Sequence, residues 1–206
     1  MLLSVSGCSP SLLQLGQPQN IKENKILFQD NFSDPSSGWT TTNQKDLIVG
    51  YDDGHFRMWI NKPNLVFWSL ANLRFSDALI EVDTARFSGP VDNSIGIICR
   101  YTDPGNFYGF LISSDGYYGI TKREEGKFTI IGMDEMKYSK IINEDDSINH
   151  LQANCIGNSL QLFVNGKKLA EATDSSFTTG DVGVMAGSYT QPDVDVIFDN
   201  FIVSSP

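Results

Sequence analysis

The chain has 206 residues, a length that suits one large β domain or two small ones. Hydrophobic residues make up 40% of it, and 18 glycines and 13 phenylalanines indicate a packed core with many turns. The formal net charge of −10 argues against a nucleic-acid partner, because phosphates repel an excess of carboxylates. No apolar run in the sequence approaches the length needed to cross a bilayer.

The first 25 residues predict a cellular address. Val5-Ser6-Gly7-Cys8 fits a bacterial lipobox, in which small residues precede a cysteine that becomes lipid-modified after cleavage. A polar tract, 14–24, follows as in a flexible tether. Only seven residues precede Cys8, so we expect a truncated signal peptide and tether over 1–25, in an exported lipoprotein anchored at the cell surface or in the periplasm. The alternative is a tail that contains an unremarkable cysteine.

Strand and turn patterns then recur to the end of the chain. Apolar and polar residues alternate between turns rich in Gly, Pro, Asp and Ser, which predicts strands. In chain order the predicted strands cover 26–32, 45–51, 55–60, 65–70, 78–87, 95–101, 107–112, 117–122, 128–131, 151–156, 160–164, 168–172, 181–189 and 194–203. Residues 132–149 predict a long loop.

Asn165-Gly166 is the sharpest local signal. Both residue types tolerate positive φ, as the two central positions of a type I′ hairpin turn require. No helical periodicity of useful length competes anywhere in the sequence. Many short antiparallel strands predict an all-β fold, a jelly-roll sandwich of two antiparallel sheets forming a single domain over 26–206.

Cys99 and Cys155 remain as an even pair once Cys8 is set aside as a lipid site. Each cysteine alternates with apolar residues along a predicted strand, Ile95 and Ile97 before Cys99 and Leu151 and Ala153 before Cys155. Both side chains are therefore expected to point inward. An exported protein meets an oxidising compartment, where such a pair closes as a disulfide. The alternative is two buried free thiols.

Several segments resemble, in order, concanavalin A-like (laminin-G-like) sandwich domains of bacterial surface proteins. They are Leu-Phe-Gln-Asp-Asn-Phe at 27–32, Pro-Ser-Ser-Gly-Trp at 35–39, Gly-Ile-Ile-Cys-Arg-Tyr at 96–101, Asn-Phe-Tyr-Gly-Phe at 106–110, Asn-Gly at 165–166, Gly-Asp-Val-Gly at 180–183 and Phe-Asp-Asn-Phe at 198–201. The closest named relative we propose on this resemblance is the 3-keto-disaccharide hydrolase domain, whose repertoire includes lipoproteins. The fold that it implies hosts lectins, glycosidases, adhesins and spacers, so the resemblance selects no activity.

Glu81 and Asp83 are the candidate catalytic carboxylates. Laminarinase-type enzymes of this fold carry acids at alternating positions of one strand, where a nucleophile and a general acid can hydrolyse a glycoside. Here the next position on that face is Ala85, so the third acid is missing. Exposed strands show the same alternation, and we favour that interpretation. His55 and His150 belong to no recognisable nucleophile motif.

The resemblance also implies a structural calcium ion. Sandwiches of this kind often bind calcium through oxygen ligands where the first and last strands meet. Asp30 and Asp199 lie in twin Asp-Asn-Phe segments at those two ends and are the candidate ligands. The favoured alternative is that both form turn hydrogen bonds while Phe32 and Phe201 fill the core.

Sugar binding needs aromatic platforms and planar hydrogen-bonding groups. The candidate ligand-binding residues are Trp68, Arg100, Tyr108 and Tyr117. Arg100 alternates with Ile98 opposite Cys99, which predicts a side chain directed away from the core. Most aromatic residues in a sandwich pack in the core or across strands, so this set is expected to shrink.

Together these features favour a surface-anchored, non-catalytic carbohydrate-binding or adhesion module whose partners are a glycan or cell-surface polysaccharide and, through its lipid, a membrane. One alternative is a hydrolase acting on glycosides. Another is a structural domain that holds a protein partner.

Overall fold

The computed structural model describes residues 24–206, so Cys8 and the lipobox lie outside the described residues. These residues form sixteen strands: β1 (Ile26–Asp30), β2 (Thr42–Gln44), β3 (Leu47–Asp52), β4 (His55–Ile60), β5 (Val66–Phe75), β6 (Ala78–Ser88), β7 (Asn93–Asp103), β8 (Asn106–Ile112), β9 (Tyr117–Glu124), β10 (Lys127–Ile131), β11 (Lys137–Tyr138), β12 (Asn149–Ile156), β13 (Ser159–Val164), β14 (Lys167–Thr173), β15 (Gly180–Ser188) and β16 (Val194–Ser204). Within 24–206, no helix is long and apolar enough to span a membrane.

The strands form two antiparallel sheets, which confirms the predicted fold class. A nine-stranded sheet has the order β14-β13-β12-β6-β16-β4-β3-β2, with β1 also beside β16. A seven-stranded sheet has the order β10-β9-β8-β7-β15-β5, with β11 beside β9. The first and last strands of the chain are therefore neighbours, since Asp30 pairs with Phe201.

One hydrophobic core fills the space between the sheets because every second side chain of each strand points inward. An aromatic group closes one end of it. Trp39 packs edge-on against Phe201 with ring centroids 4.8 Å apart, and Phe32 lies 5.1 Å from Trp39. Phe32 and Phe201 are 1% and 0% exposed, so both Asp-Asn-Phe segments place their phenylalanine in this core.

A disulfide between Cys99 and Cys155 joins the two sheets, as predicted. Cys99 lies on β7 of the seven-stranded sheet and Cys155 on β12 of the nine-stranded sheet, and each is 1% exposed. The bond therefore links strands that have no backbone ladder between them.

The Asn165-Gly166 hairpin joins β13 to β14. The two residues have φ values of 49° and 74°, so the predicted positive φ at both positions is confirmed. The Asn165 side chain does more than permit the turn. Its Nδ2 donates to the Ile141 carbonyl at 2.7 Å, and its Oδ1 accepts from the His150 amide at 2.9 Å, which fixes the 139–148 connection against the sheet.

Candidate functional site

The outward face of the seven-stranded sheet carries a second hydrophobic cluster. Ile98, Phe107, Leu111 and Met185 are buried on this face, and the half-buried Met136 packs against them. An outward face of an antiparallel sheet is ordinarily polar, because it meets water. Here the four side chains are buried because neighbouring side chains of the same face, Met136 among them, pack over them.

Glycines let these side chains lie close to the sheet. A Cβ added to Gly109 would lie 2.7 Å from Thr121 Oγ1 and 3.1 Å from Met185 Sδ, and one added to Gly119 would lie 2.8 Å from Met136 Sδ. The side chains of Thr121, Met185 and Met136 therefore occupy the space beside these two glycines. The result is a low, apolar floor, which we name the glycine-floored groove.

The groove consists of two adjoining cavities that share Met136 and Tyr189 as walls. The apolar one has a volume of about 190 Å³ and includes Leu111 and Met185. The polar one has a volume of about 440 Å³, with Asp92, Ser113, Asp115 and Tyr117 in its lining. Together they reach the range of roughly 300–1,000 Å³ that is usual for ligand sites.

Two exposed tyrosine rings stand at the groove. Tyr117 is 43% exposed and Tyr189 is 41% exposed. The Tyr189 backbone is anchored because its carbonyl accepts from the Asn64 amide at 2.7 Å. Burial of its hydroxyl end, together with the negative charges of Asp92 and Asp115, raises the pKa of Tyr189, so the phenol stays neutral and can donate.

A buried asparagine positions the polar end of the groove. Asn93 accepts the Ser114 amide on Oδ1 at 3.1 Å and donates from Nδ2 to the Pro90 carbonyl at 2.9 Å. It thereby holds the start of β7, next to Asp92, against the β8–β9 turn that carries Asp115. The Ser113 hydroxyl donates to the Asp115 carboxylate and fixes its direction.

Trp68 lies on the same outward face as Tyr117, but it is part of a packed cluster. Its ring centroid is 5.2 Å from that of Phe107, and the Arg123 guanidinium lies 5.3 Å from its ring centre. Arg123 also stacks on Phe128 at 4.7 Å. Trp68 therefore supports the groove floor, whereas Tyr117 has the exposed face that a sugar platform needs.

The prediction that Arg100 points away from the core is wrong. A bulge interrupts β7 after Cys99, and Arg100 itself has a φ of 52°, so simple alternation fails at this point. The side chain is 2% exposed. Its guanidinium donates to the backbone carbonyls of Ser76, Gly157 and Phe177 and to the Asp77 carboxylate, at distances from 2.7 to 3.2 Å.

Tyr108 is also enclosed, with 0% exposure. Its hydroxyl donates to Asp174 at 2.5 Å and accepts from the Phe177 amide at 3.1 Å. Burial and the hydrogen bond to Asp174 raise the pKa of Tyr108 to about 12. Arg100 and Tyr108 thus hold the 174–179 connection from inside. They line no surface groove, which corrects their assignment to an open ligand face.

The architecture resembles that of several solved structures. No protein-family model and no curated protein matches the chain. Among solved structures, the carbohydrate-binding module CBM66 of Bacillus subtilis superposes with a TM-score of 0.65 at 19% identity, over 82% of this chain and 96% of that one. A B. subtilis protein of unknown function with a galectin-like fold gives a TM-score of 0.64 at 14% identity, over 89% and 97% of the two chains. The fold is a galectin-like jelly roll.

A third similar structure shows the same jelly roll within a larger protein. The GH43 protein BlXynB of Bacillus licheniformis superposes with a TM-score of 0.64 at 16% identity, over 94% of this chain but 41% of that one. At these identities the likeness establishes the fold alone. The relation to the 3-keto-disaccharide hydrolase domain stays a prediction.

Glu81 and Asp83 lie on the opposite, nine-stranded face of the jelly roll, and one histidine bridges them. His150 Nδ1 is 2.8 Å from Asp83 Oδ1, and its Nε2 is 3.3 Å from Glu81 Oε2. Asn200 also donates to Asp83 at 3.0 Å. The adjoining cavity has a volume of about 110 Å³, below the roughly 300 Å³ at which ligand sites usually begin. Catalysis by this pair stays a prediction that the geometry does not favour.

The carboxylates of the two candidate calcium ligands, Asp30 and Asp199, each accept hydrogen bonds from the protein. Asp30 accepts the Phe32 amide at 2.8 Å and the Trp39 indole at 2.9 Å, while Asp199 accepts the Asn200 amide at 2.7 Å. Within 24–206, no group of three or more His, Cys, Asp or Glu side chains has metal-binding geometry. Both carboxylates therefore make the local hydrogen bonds of the alternative interpretation, and calcium stays a prediction.

Most of the groove lining was not among the sequence candidates, and Asp92, Asp115 and Met136 show why. Each lies in a turn or an irregular connection, where no alternation pattern assigns a face. Tyr189 is one of the aromatic residues that the sequence offers as sugar platforms, and nothing in the pattern separates a platform from a packing residue.

Proposed function

We propose that this chain is an exported, non-catalytic carbohydrate-binding module that holds a glycan in the glycine-floored groove. The observation that carries the proposal is the arrangement of two exposed tyrosine rings and two carboxylates around an apolar floor. Sugars combine an apolar ring face with a rim of hydroxyls, and this groove offers a matching surface for each.

Each part of the groove has a distinct role in this proposal. The rings of Tyr117 and Tyr189 take the C–H faces of successive sugar units. The carboxylates of Asp92 and Asp115 accept from sugar hydroxyls, and such charge-assisted hydrogen bonds are stronger than neutral ones. Leu111, in the floor, excludes water beneath the ligand.

The ligand class follows from local charge. Asp92 and Asp115 both line the polar cavity of the groove, so two negative charges face a ligand there. A uronic acid or sulfated sugar would be repelled there. We therefore propose a neutral glycan. The carbohydrate-binding module and the xylosidase from Bacillus halodurans among the similar structures support a carbohydrate ligand at the level of fold analogy only.

The first test is a screen of the full chain against immobilised neutral and acidic polysaccharides, β-1,4-xylan included, with product release measured in parallel. We expect retention on at least one neutral glycan and no release of soluble sugar. Failure to bind any glycan would contradict the proposal and favour a structural domain that holds a protein partner.

The alternative function is a glycoside hydrolase that uses Glu81 and Asp83. The bridge through His150 is the observation in its favour, because it keeps the two carboxylates close together on one face. In the same screen this alternative requires product release that is lost in Glu81→Gln. Release that persists in that variant excludes the pair as the catalytic residues.

The cellular address is a separate proposal. The lipobox ending at Cys8 and the polar tract after it support a lipid anchor, and the Cys99–Cys155 disulfide supports an oxidising compartment. In a bacterial host that processes lipoproteins, with a complete signal sequence joined in front of the chain, Cys8→Ala is expected to leave the membrane fraction, while Cys8-containing protein stays in it. Equal membrane retention of both would contradict the anchor.

A further inference from the structure

The outward face of the nine-stranded sheet contains a second aromatic groove. It lies on β3 and β4, has a volume of about 380 Å³ and is lined by Ile48, Gly50, Tyr51, Asp52, Arg57 and Trp59. We name it the Trp59 groove. It lies on the opposite sheet from the glycine-floored groove.

Hydrogen bonding fixes the Trp59 ring. Its Nε1 donates to Asp193 Oδ1 at 2.7 Å, so rotation of the indole would break a charge-assisted hydrogen bond. The residue is half-buried, and its strand neighbours across the sheet are Ile48 and Asp195. One part of the indole is therefore held by the protein while the groove remains open beside it.

Arg57 is held flat next to this ring. Its Nε and Nη2 bind both oxygens of the buried Asp195 at 2.9 and 2.6 Å, and its Nη1 binds Asp52 Oδ2 at 2.7 Å. The exposed ring of Phe87 stacks on the guanidinium at 4.7 Å. Asp52 uses one oxygen for Arg57 and is half exposed, so its Oδ1 can accept from a ligand.

Gly50 keeps the space above Arg57 open. The two residues are paired across β3 and β4, and a Cβ at position 50 would make only ordinary contact with Thr41, at 3.6 Å. Nothing in the packing therefore requires glycine here, in contrast to Gly109 and Gly119 on the other sheet. The absence of a side chain leaves room for a ligand.

We propose that the Trp59 groove is a second saccharide-binding site, so that the module binds glycan on both faces and can cross-link two chains. Binding on both faces depends on the proposed function of the glycine-floored groove. The Trp59 site itself is inferred from the contacts of Trp59, Arg57 and Asp52 alone. Because the two sites lie on opposite sheets, they can engage two separate glycan chains at once.

The ligand of this groove is a neutral sugar. Asp52 and Asp195 both pair with the Arg57 guanidinium, and Asp193 accepts from the Trp59 indole, so the local charge is negative and Arg57 is already neutralised. An acidic sugar would gain no free cation there. The indole supplies the stacking face and Asp52 an acceptor for hydroxyls.

The indole N–H signals of the three tryptophans distinguish the two sites in a ¹H–¹⁵N correlation spectrum of the full chain, because one tryptophan lies at each groove and one lies in the core. Trp59 reports its own groove, and Trp68 lies beside Met185 of the other floor. Trp39 is 5% exposed in the core and bonded to Asp30, so it is the internal reference. The probes are cellotetraose, xylotetraose, laminaritetraose and mannotetraose.

With at least one probe we expect the Trp59 indole signal to shift and saturate while the Trp39 signal stays still. Gly50→Val should weaken the Trp59 response at least tenfold, because the new side chain fills the groove and leaves the Arg57 and Trp59 contacts in place. No Trp59 shift with any probe would overturn the second site, as would a shift that Gly50→Val leaves unchanged.

Calorimetry separates the two proposals. If both sites bind, wild type takes two equivalents of ligand, and Gly50→Val and Tyr189→Ala each keep one site at wild-type affinity while the other weakens by about tenfold or more. If the glycine-floored groove fails as a site, wild type takes one equivalent, Tyr189→Ala equals wild type, and Gly50→Val weakens that one site. One equivalent in wild type that Gly50→Val leaves at full affinity would overturn the Trp59 site alone.

Discussion

Replacing both cysteines of the Cys99–Cys155 pair by alanine is expected to lower the free energy of unfolding by about 4 kcal/mol. The bond closes a long loop, since 56 positions separate its ends. Removing it restores the conformational entropy of that loop to the unfolded chain, which for this length corresponds to roughly 4 kcal/mol in the chain-entropy model. Urea denaturation at pH 7, read by near-UV circular dichroism and fluorescence, measures the change.

The matched control is wild type unfolded in urea with and without dithiothreitol, because a pair that is 1% exposed reduces only when the chain opens. Reduced wild type and the double variant should have similar midpoints. A loss below about 1 kcal/mol in the variant would mean that the bond does not constrain the unfolded chain, contrary to the entropic account.

Arg100→Ala is expected to lower the free energy of unfolding by about 3 kcal/mol or more, because three backbone carbonyls lose their donor and each unsatisfied buried group costs roughly 1–3 kcal/mol. The guanidinium satisfies three backbone carbonyls and the Asp77 carboxylate from a side chain that is 2% exposed. Alanine leaves these carbonyls without their donor and opens a cavity between the sheets. The same denaturation experiment measures this loss.

Arg100→Lys is the matched variant, because it keeps the charge but not the planar fork of donors. We expect it to fall between wild type and alanine. Equal stability of Arg100→Lys and wild type would show that charge alone is sufficient. If Arg100→Ala lowers the free energy of unfolding by less than about 1 kcal/mol, Arg100 does not hold the 174–179 connection in place.

Much of the fold follows from local patterns. The Asn165-Gly166 turn and the alternation around Cys99 and Cys155 each carry their own physical reason, and the structure confirms both. Two strands were not predicted. β2 has three residues and β11 has two, which is too short for alternation to be recognised.

The site was harder to predict because it depends on register and bulges. Arg100 follows the alternation up to Cys99 and then turns inward at a positive φ, which nothing in its neighbours signals. Tyr117 and Trp68 are both candidate ligand-binding residues in the sequence, and the stacking of Arg123 on Trp68 separates their roles in the structure. Asp92 and Asp115 line one cavity because Asn93 hydrogen-bonds to Ser114 and so joins two turns that are distant in sequence.

The central claim is that the glycine-floored groove binds glycan through its exposed tyrosines. The most direct test compares Tyr189→Ala with Ile156→Ala, an exposed residue outside both grooves, by calorimetry on the polysaccharide fragment found in the screen. Loss of one stacking ring should weaken binding at this site by roughly tenfold, about 1.4 kcal/mol, while Ile156→Ala leaves it unchanged. Wild-type affinity and stoichiometry in Tyr189→Ala would contradict the account.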